Sequence, residues 1–122
     1  MNFSVGTSMI DGNAAVVAVE GEADLYTAPQ LKDALNHVMD EGRTGVLVDL
    51  SKSTFIDSTT LGVLMGAIDR LRRSGGGLAI SCHDPNIRRI FEITLLDQVF
   101  PIFDTREDGE AHVRELAQSA PA

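Results

Sequence analysis

Short apolar runs alternate along this chain with apolar stripes at helical spacing, and the alternation predicts its elements. "NFSVGTSMI" partly alternates, and beyond the turn residues Asp11, Gly12 and Asn13 the run "AAVVAVE" is strongly apolar. Two such runs around an Asp-Gly-Asn turn predict a β-hairpin. In "TAPQLKDALNHVMDEG", Thr27 is a candidate N-cap and Pro29 falls in the first turn. Leu31, Ala34, Leu35 and Val38 then share one stripe, and Gly42 stops the helix. "TGVLVDL" is a continuous apolar run, as in a strand buried on both faces.

The stretch "DLSKSTFIDSTTLGVLMGAIDRL", residues 49–71, changes period partway. Its lead-in, Val46, Leu47, Val48 and Leu50, is strand-like, whereas Leu61, Leu64, Met65, Ile68 and Leu71 recur at helical spacing. The helix runs to about Arg73 and ends at Gly75–Gly77. "GLAISC" predicts another buried strand, and "PNIRRIFEIT" a short helix carrying Ile87, Ile90, Phe91 and Ile93. "QVFPIFD" suits a short edge strand, because Pro101 has no N–H to give a central ladder. "REDGEAHVRELAQ" predicts a C-terminal helix with Ala111, Val113, Leu116 and Ala117, although Gly109 blurs its start. Ser119 to Ala122 are expected to fray.

After the hairpin, helices separate the strands, and parallel neighbours need such crossovers. The expected fold is therefore one α/β domain over residues 1–122. It has a small mixed, mostly parallel β-sheet flanked by four or so α-helices.

Composition narrows the function classes. The 122 residues are 43% apolar and suit a single core. No run approaches the ~20 apolar residues of a bilayer span, and "MNFSVGTSMIDG" lacks the features of a signal peptide. A cytoplasmic protein without a membrane partner is expected. The lone Cys82 agrees with a reducing compartment. A net charge of −8 disfavours nucleic acid and suits a partner with a basic surface. Arg70, Arg72 and Arg73 read as a solvated helix end that complements the dipole.

Asp57, Ser58, Thr59 and Thr60 put an acid and three hydroxyls at the strand-to-helix junction. Asp57 reads as the helix N-cap, with Ser58 in the first turn. A nucleophile elbow, G-x-S-x-G, is absent, since Ile56 and Thr60 flank Ser58 at the glycine positions. His37 and His112 read as helix-surface residues and His83 as a loop residue. An adjacent Cys82–His83 pair is poorly placed for mutual contact. Gly75–Gly77 is not a P-loop, having no Lys-Ser/Thr after it and leading into a strand. A receiver-type phospho-acceptor at Asp49, near a strand end, is a rival reading. Glu20, Glu22 and Asp24 would be its partial metal-binding set.

The remaining reading is covalent modification of Ser58, an accessible hydroxyl at a helix N-terminus. A phosphate there adds roughly −1.5 to −2 charge at pH 7. It would disturb a partner docked over the helix end more than the fold beneath.

"GEADLYTAPQLKDAL", "VLVDLSKSTFIDSTTLGVLMGA" and "GLAISC" together resemble the STAS domain family, above all its stand-alone anti-sigma factor antagonists. The motif D-S-[ST]-x-L-G is present as Asp57-Ser58-Thr59-Thr60-Leu61-Gly62, and G-E-x-D-x-x-[TN]-[AS] as Gly21 to Ala28. The resemblance implies a non-enzyme without a cofactor of its own. Its unphosphorylated form binds an anti-sigma factor that is itself a serine kinase, and so frees a sigma factor. Phosphorylation of Ser58 switches this off, and a PPM-type serine phosphatase reverses it. ATP–Mg²⁺ belongs to the kinase. The implied partner-binding positions are Asp24, Tyr26, Thr27, Asp57, Ser58, Thr59, Thr60, Leu61, Gly62 and Val63.

Many relatives carry Gly where this chain has Thr60, so Thr60 is expected to alter the docking fit. Thr59 is the reserve site of modification. The resemblance also leaves room for a STAS subunit of a larger signalling or lipid-transport complex with a silent serine. Two residue-level questions stay open. Gly62 and Gly66, one turn apart, serve either close helix packing or docking. Tyr26 is either a lid on the core or an interface anchor.

Overall fold

The computed structural model describes residues 3–120. The strands are β1 (Phe3–Met9), β2 (Ala14–Ala23), β3 (Gly45–Ile56), β4 (Gly77–Ser81) and β5 (Ile102–Phe103). The helices are α1 (Ala28–Asp40), α2 (Ser58–Arg73), α3 (Pro85–Ile93) and α4 (Arg106–Ser119), with a 3-10 turn at Leu96–Gln98. The strands form one sheet in the order β1-β2-β3-β4-β5. β1 and β2 are the antiparallel hairpin, and every later pairing is parallel. The expected mixed, mostly parallel sheet with four helices is what the chain forms.

The sheet is covered on both faces, which explains its near-continuous apolar strands. Val46, Val48 and Leu50 of β3 face α1, α2 and α3 in the larger core with Leu35, Leu64, Ile68 and Phe91. Leu47 points the other way, into a smaller core with Val16, Ala79, Val113 and Ala117 under α4. Leu64, Ile68 and Leu71 of α2 are at most 2% exposed, and burial of each contributes about 1.5–3 kcal/mol.

Gly109 sits inside α4 rather than before it, and is buried. A Cβ there would come within 2.6 Å of Leu47 Cδ1, so the glycine lets the helix lie close on β3. Thr105 caps that helix by accepting from the Asp108 N–H at 3.2 Å. Of the residues expected to fray, Ser119 closes α4 and 121–122 lie outside the described residues.

β3 is longer than the apolar run "TGVLVDL" suggested. It continues through Ser51–Phe55 to Ile56, paired along that length with the end of β2. Asp49 is consequently a mid-strand residue, and Glu20 and Glu22 are strand residues too. This extension carries the chain to the start of α2 and brings the ends of β2 and β3 side by side.

Candidate functional site

The site is built where these two strands end. The Asp57 N–H donates to the Ala23 carbonyl at 3.2 Å, and the Thr60 hydroxyl donates to the same oxygen at 2.7 Å. One carbonyl thus ties the start of α2 to the last residue of β2. The Asp57 carboxylate accepts from the Thr60 N–H at 3.0 Å, so it is the N-cap that its position predicted. Ser58 is the first residue of α2 and is exposed. Its hydroxyl makes no hydrogen bond among the described residues. Thr59 is exposed beside it.

The neighbouring loop is equally ordered by its own side chains. Asp24 Oδ1 accepts from the Tyr26 N–H at 2.9 Å and the Thr27 N–H at 3.1 Å. The Thr27 hydroxyl donates to the Glu22 carbonyl at 2.9 Å. Thr27 does occupy the N-cap position of α1, but its side chain makes no cap bond, since these loop contacts engage it. The turn projects Leu25 and Tyr26 outward, 60% and 79% exposed. Tyr26 is therefore no lid on the core.

The ten positions implied to bind a partner fall into two groups. Tyr26, Ser58, Thr59 and Gly62 are exposed, and Asp24, Asp57 and Val63 are half-buried at the same end. Thr27, Thr60 and Leu61 are buried, so, against the expectation, these three side chains lie beneath the surface that the other seven form. Thr60, 0% exposed, lies beneath the surface and is closed to both docking and modification. Its burial was detectable, because Thr60 stands four residues before Leu64 on the apolar stripe. Leu25 and the exposed Phe55 at the end of β3 were missed. Phe55 was hidden because β3 was taken to stop at Leu50.

Gly62 and Gly66 are exposed, and a Cβ at either would meet no atom within 4 Å. Close packing on the sheet is thereby ruled out as their reason. Each costs ~1 kcal/mol of helix propensity relative to Ala, with no gain inside the fold.

The rival chemistries lack their geometry. Asp49 is 8% exposed. It accepts from the Ser51 N–H at 3.1 Å and the Ser81 hydroxyl at 2.9 Å, and faces Arg106 at 3.7 Å. It is a satisfied acid under α4, away from the strand end that a phospho-acceptor would need. No group of three or more His, Cys, Asp or Glu suited to a metal ion occurs among the described residues. Cys82 is buried, and that burial pushes its thiol pKa up, leaving it protonated. His83 beside it is exposed. No helix among the described residues is long and apolar enough to cross a membrane.

Comparison with known proteins bears on the fold and the family. The family model described as STAS domain matches residues 8–109. An anti-sigma-B factor antagonist of Listeria monocytogenes is 34% identical over 102 residues, covering 84% of this chain and 90% of the relative. One from Staphylococcus aureus is 32% identical over 107 residues, covering 88% and 98%. The crystal structure of an anti-sigma factor antagonist from Mycobacterium paratuberculosis superposes with a TM-score of 0.84 at 31% identity, over 93% of this chain and 95% of that one.

Proposed function

The chain belongs to the STAS domain family, and from that premise we propose that it is an anti-sigma factor antagonist switched by phosphorylation of Ser58. In the unmodified state it binds an anti-sigma factor of the serine-kinase type and so releases a sigma factor. The kinase then phosphorylates Ser58, and a PPM-type phosphatase restores the hydroxyl. The protein itself carries out no catalysis.

The observation that carries this reading is an exposed, unengaged Ser58 hydroxyl, the first of two with Thr59, on a junction tied by Asp57 and Thr60. Asp57, Thr60 and Ala23 hold the helix end without help from Ser58. A kinase can reach the oxygen without opening the fold. The resulting phosphate lies at a helix N-terminus, which favours it, and beside Asp57, which opposes it. These effects offset each other, so the scaffold changes little. A partner seated over Leu25, Tyr26 and Ser58 would instead have to bury a dianion lacking a counter-charge.

The test is incubation with ATP–Mg²⁺ and the anti-sigma factor kinase of the same organism, followed by mass mapping of the added phosphate. Phosphoserine at position 58 is the expected product. Phosphothreonine at 59 would relocate the switch, an acyl phosphate at Asp49 would restore the receiver reading, and no modification would favour a silent subunit of a larger complex.

A further inference from the structure

We propose that the groove between α1 and α2 is a second docking element for the same partner, and that it takes up an apolar segment flanked by acidic side chains. The inference rests on the reading that Ser58 lies in the anti-sigma factor interface, and it extends that interface along α2. The groove encloses about 390 Å³. Leu35, Met39, Val63 and Ala67 supply its apolar lining, and Thr59 borders it, so it is continuous with the surface around Ser58.

Two features fix the chemistry of the occupant. The charged residues lining the groove are Lys32 and Arg70, both basic, in a chain of net charge −8. Arg70 is already paired with Asp40, whereas Lys32 makes no ion pair among the described residues. An apolar segment without acids would partly desolvate Lys32 and return nothing for it. The second feature is depth. Gly62 and Gly66 line the groove, and a side chain at either would stand in open space. The fold accepts alanine there and the helix prefers it, so the glycines leave room for something outside the fold. That room lets a partner approach the backbone of α2 closely.

The test titrates the same anti-sigma factor kinase against four variants, with melting temperature followed in parallel. Gly62→Ala/Gly66→Ala should melt several degrees higher yet bind more weakly, a pairing that damage to the fold cannot produce. Gly66→Leu should weaken binding about tenfold or more by filling the groove. Lys32→Glu should weaken it about fivefold and flatten its salt dependence. Ser58→Asp is the control for the underlying reading. If Ser58→Asp loses binding while both glycine variants bind like the unaltered protein, the groove inference is overturned and the reading stands. If Ser58→Asp binds normally, both fall. If Gly66→Leu changes only self-association in sedimentation, the occupant is a second copy and the proposal is wrong.

Discussion

At the start of α2, Asp57 stands beside Ser58, Thr59 and Thr60; in the middle of the sheet, Asp49 stands near Ser51 and Ser81. The residue types are the same and the outcomes are opposite. Around Asp49 every neighbouring hydroxyl is used, because Ser51 and Ser81 both donate to its Oδ1. Around Asp57 only Thr60 is used, and Ser58 and Thr59 are left facing water. The difference lies in what covers each place. α4 closes over Asp49 and brings Arg106 to it, so an unpaired polar group there would be expensive. Nothing among the described residues covers the exposed Ser58 and Thr59 at the start of α2, so a free hydroxyl there costs nothing and stays available. An acid among hydroxyls is therefore a structural bolt in one setting and, in the other, a cap that leaves two hydroxyls free at the surface.

The largest expected effect lies at the bolt. Asp49→Ala should destabilise the domain by about 2 kcal/mol, because the buried Ser81 hydroxyl and the Ser51 hydroxyl lose their acceptor, whereas Arg106 keeps its ion pair with Glu110. Urea unfolding measures this. Affinity of the surviving folded molecules for the anti-sigma factor should be unchanged. Loss of partner affinity without loss of stability would reverse the assignment of the two regions.

Next comes the end with the free hydroxyls. Ser58→Asp should weaken anti-sigma factor binding about 30-fold or more, roughly 2 kcal/mol. Its stability should stay within about 0.5 kcal/mol of the unaltered protein. Unfolding by this single change would mean that the hydroxyl belongs to the scaffold.

The support under that end is worth less. Thr60→Val removes the donor to the Ala23 carbonyl and should cost about 1 kcal/mol. It should also speed hydrogen exchange at the amides of Tyr26 and Thr27, if the shared carbonyl does couple the two loops. Unchanged exchange would show that the loops hold their shapes independently.

The smallest difference is the most diagnostic. Ser81→Ala should cost about 1 kcal/mol and Ser58→Ala close to zero. Equal costs would erase the distinction between a consumed and a free hydroxyl.

How much of this was legible in the chain depended on how local the cause was. The stripe of Leu61, Leu64, Ile68 and Leu71 needs only a helix period, and the hairpin turn only Asp11, Gly12 and Asn13, with Gly12 in the left-handed region at φ 64°. The cap at Asp57 is equally local. β3 was underestimated because Ser51 to Phe55 are mostly polar. Their strand conformation comes from pairing with β2, where Lys52 lies opposite Glu20 and Ser53 opposite Gly21. The role of Gly109 depends on Leu47, more than sixty residues earlier, and the fate of Asp49 depends on Ser81 and Arg106. Neither contact leaves a trace in local periodicity. Within the site, motif and capping logic singled out Ser58, which the fold leaves exposed at the start of α2. The motif's other positions could not be sorted into surface and support until the burial of Thr27, Thr60 and Leu61 was seen.

The most direct measurement compares the protein before and after stoichiometric phosphorylation of Ser58, titrating each form with the anti-sigma factor in a calorimeter and recording its amide spectrum. Affinity should fall by about two orders of magnitude, with shifted resonances confined to the start of α2 and the Asp24–Thr27 loop. Equal affinity for the two forms, or shifts spreading through β3 and α4, would contradict a switch that acts at the surface alone.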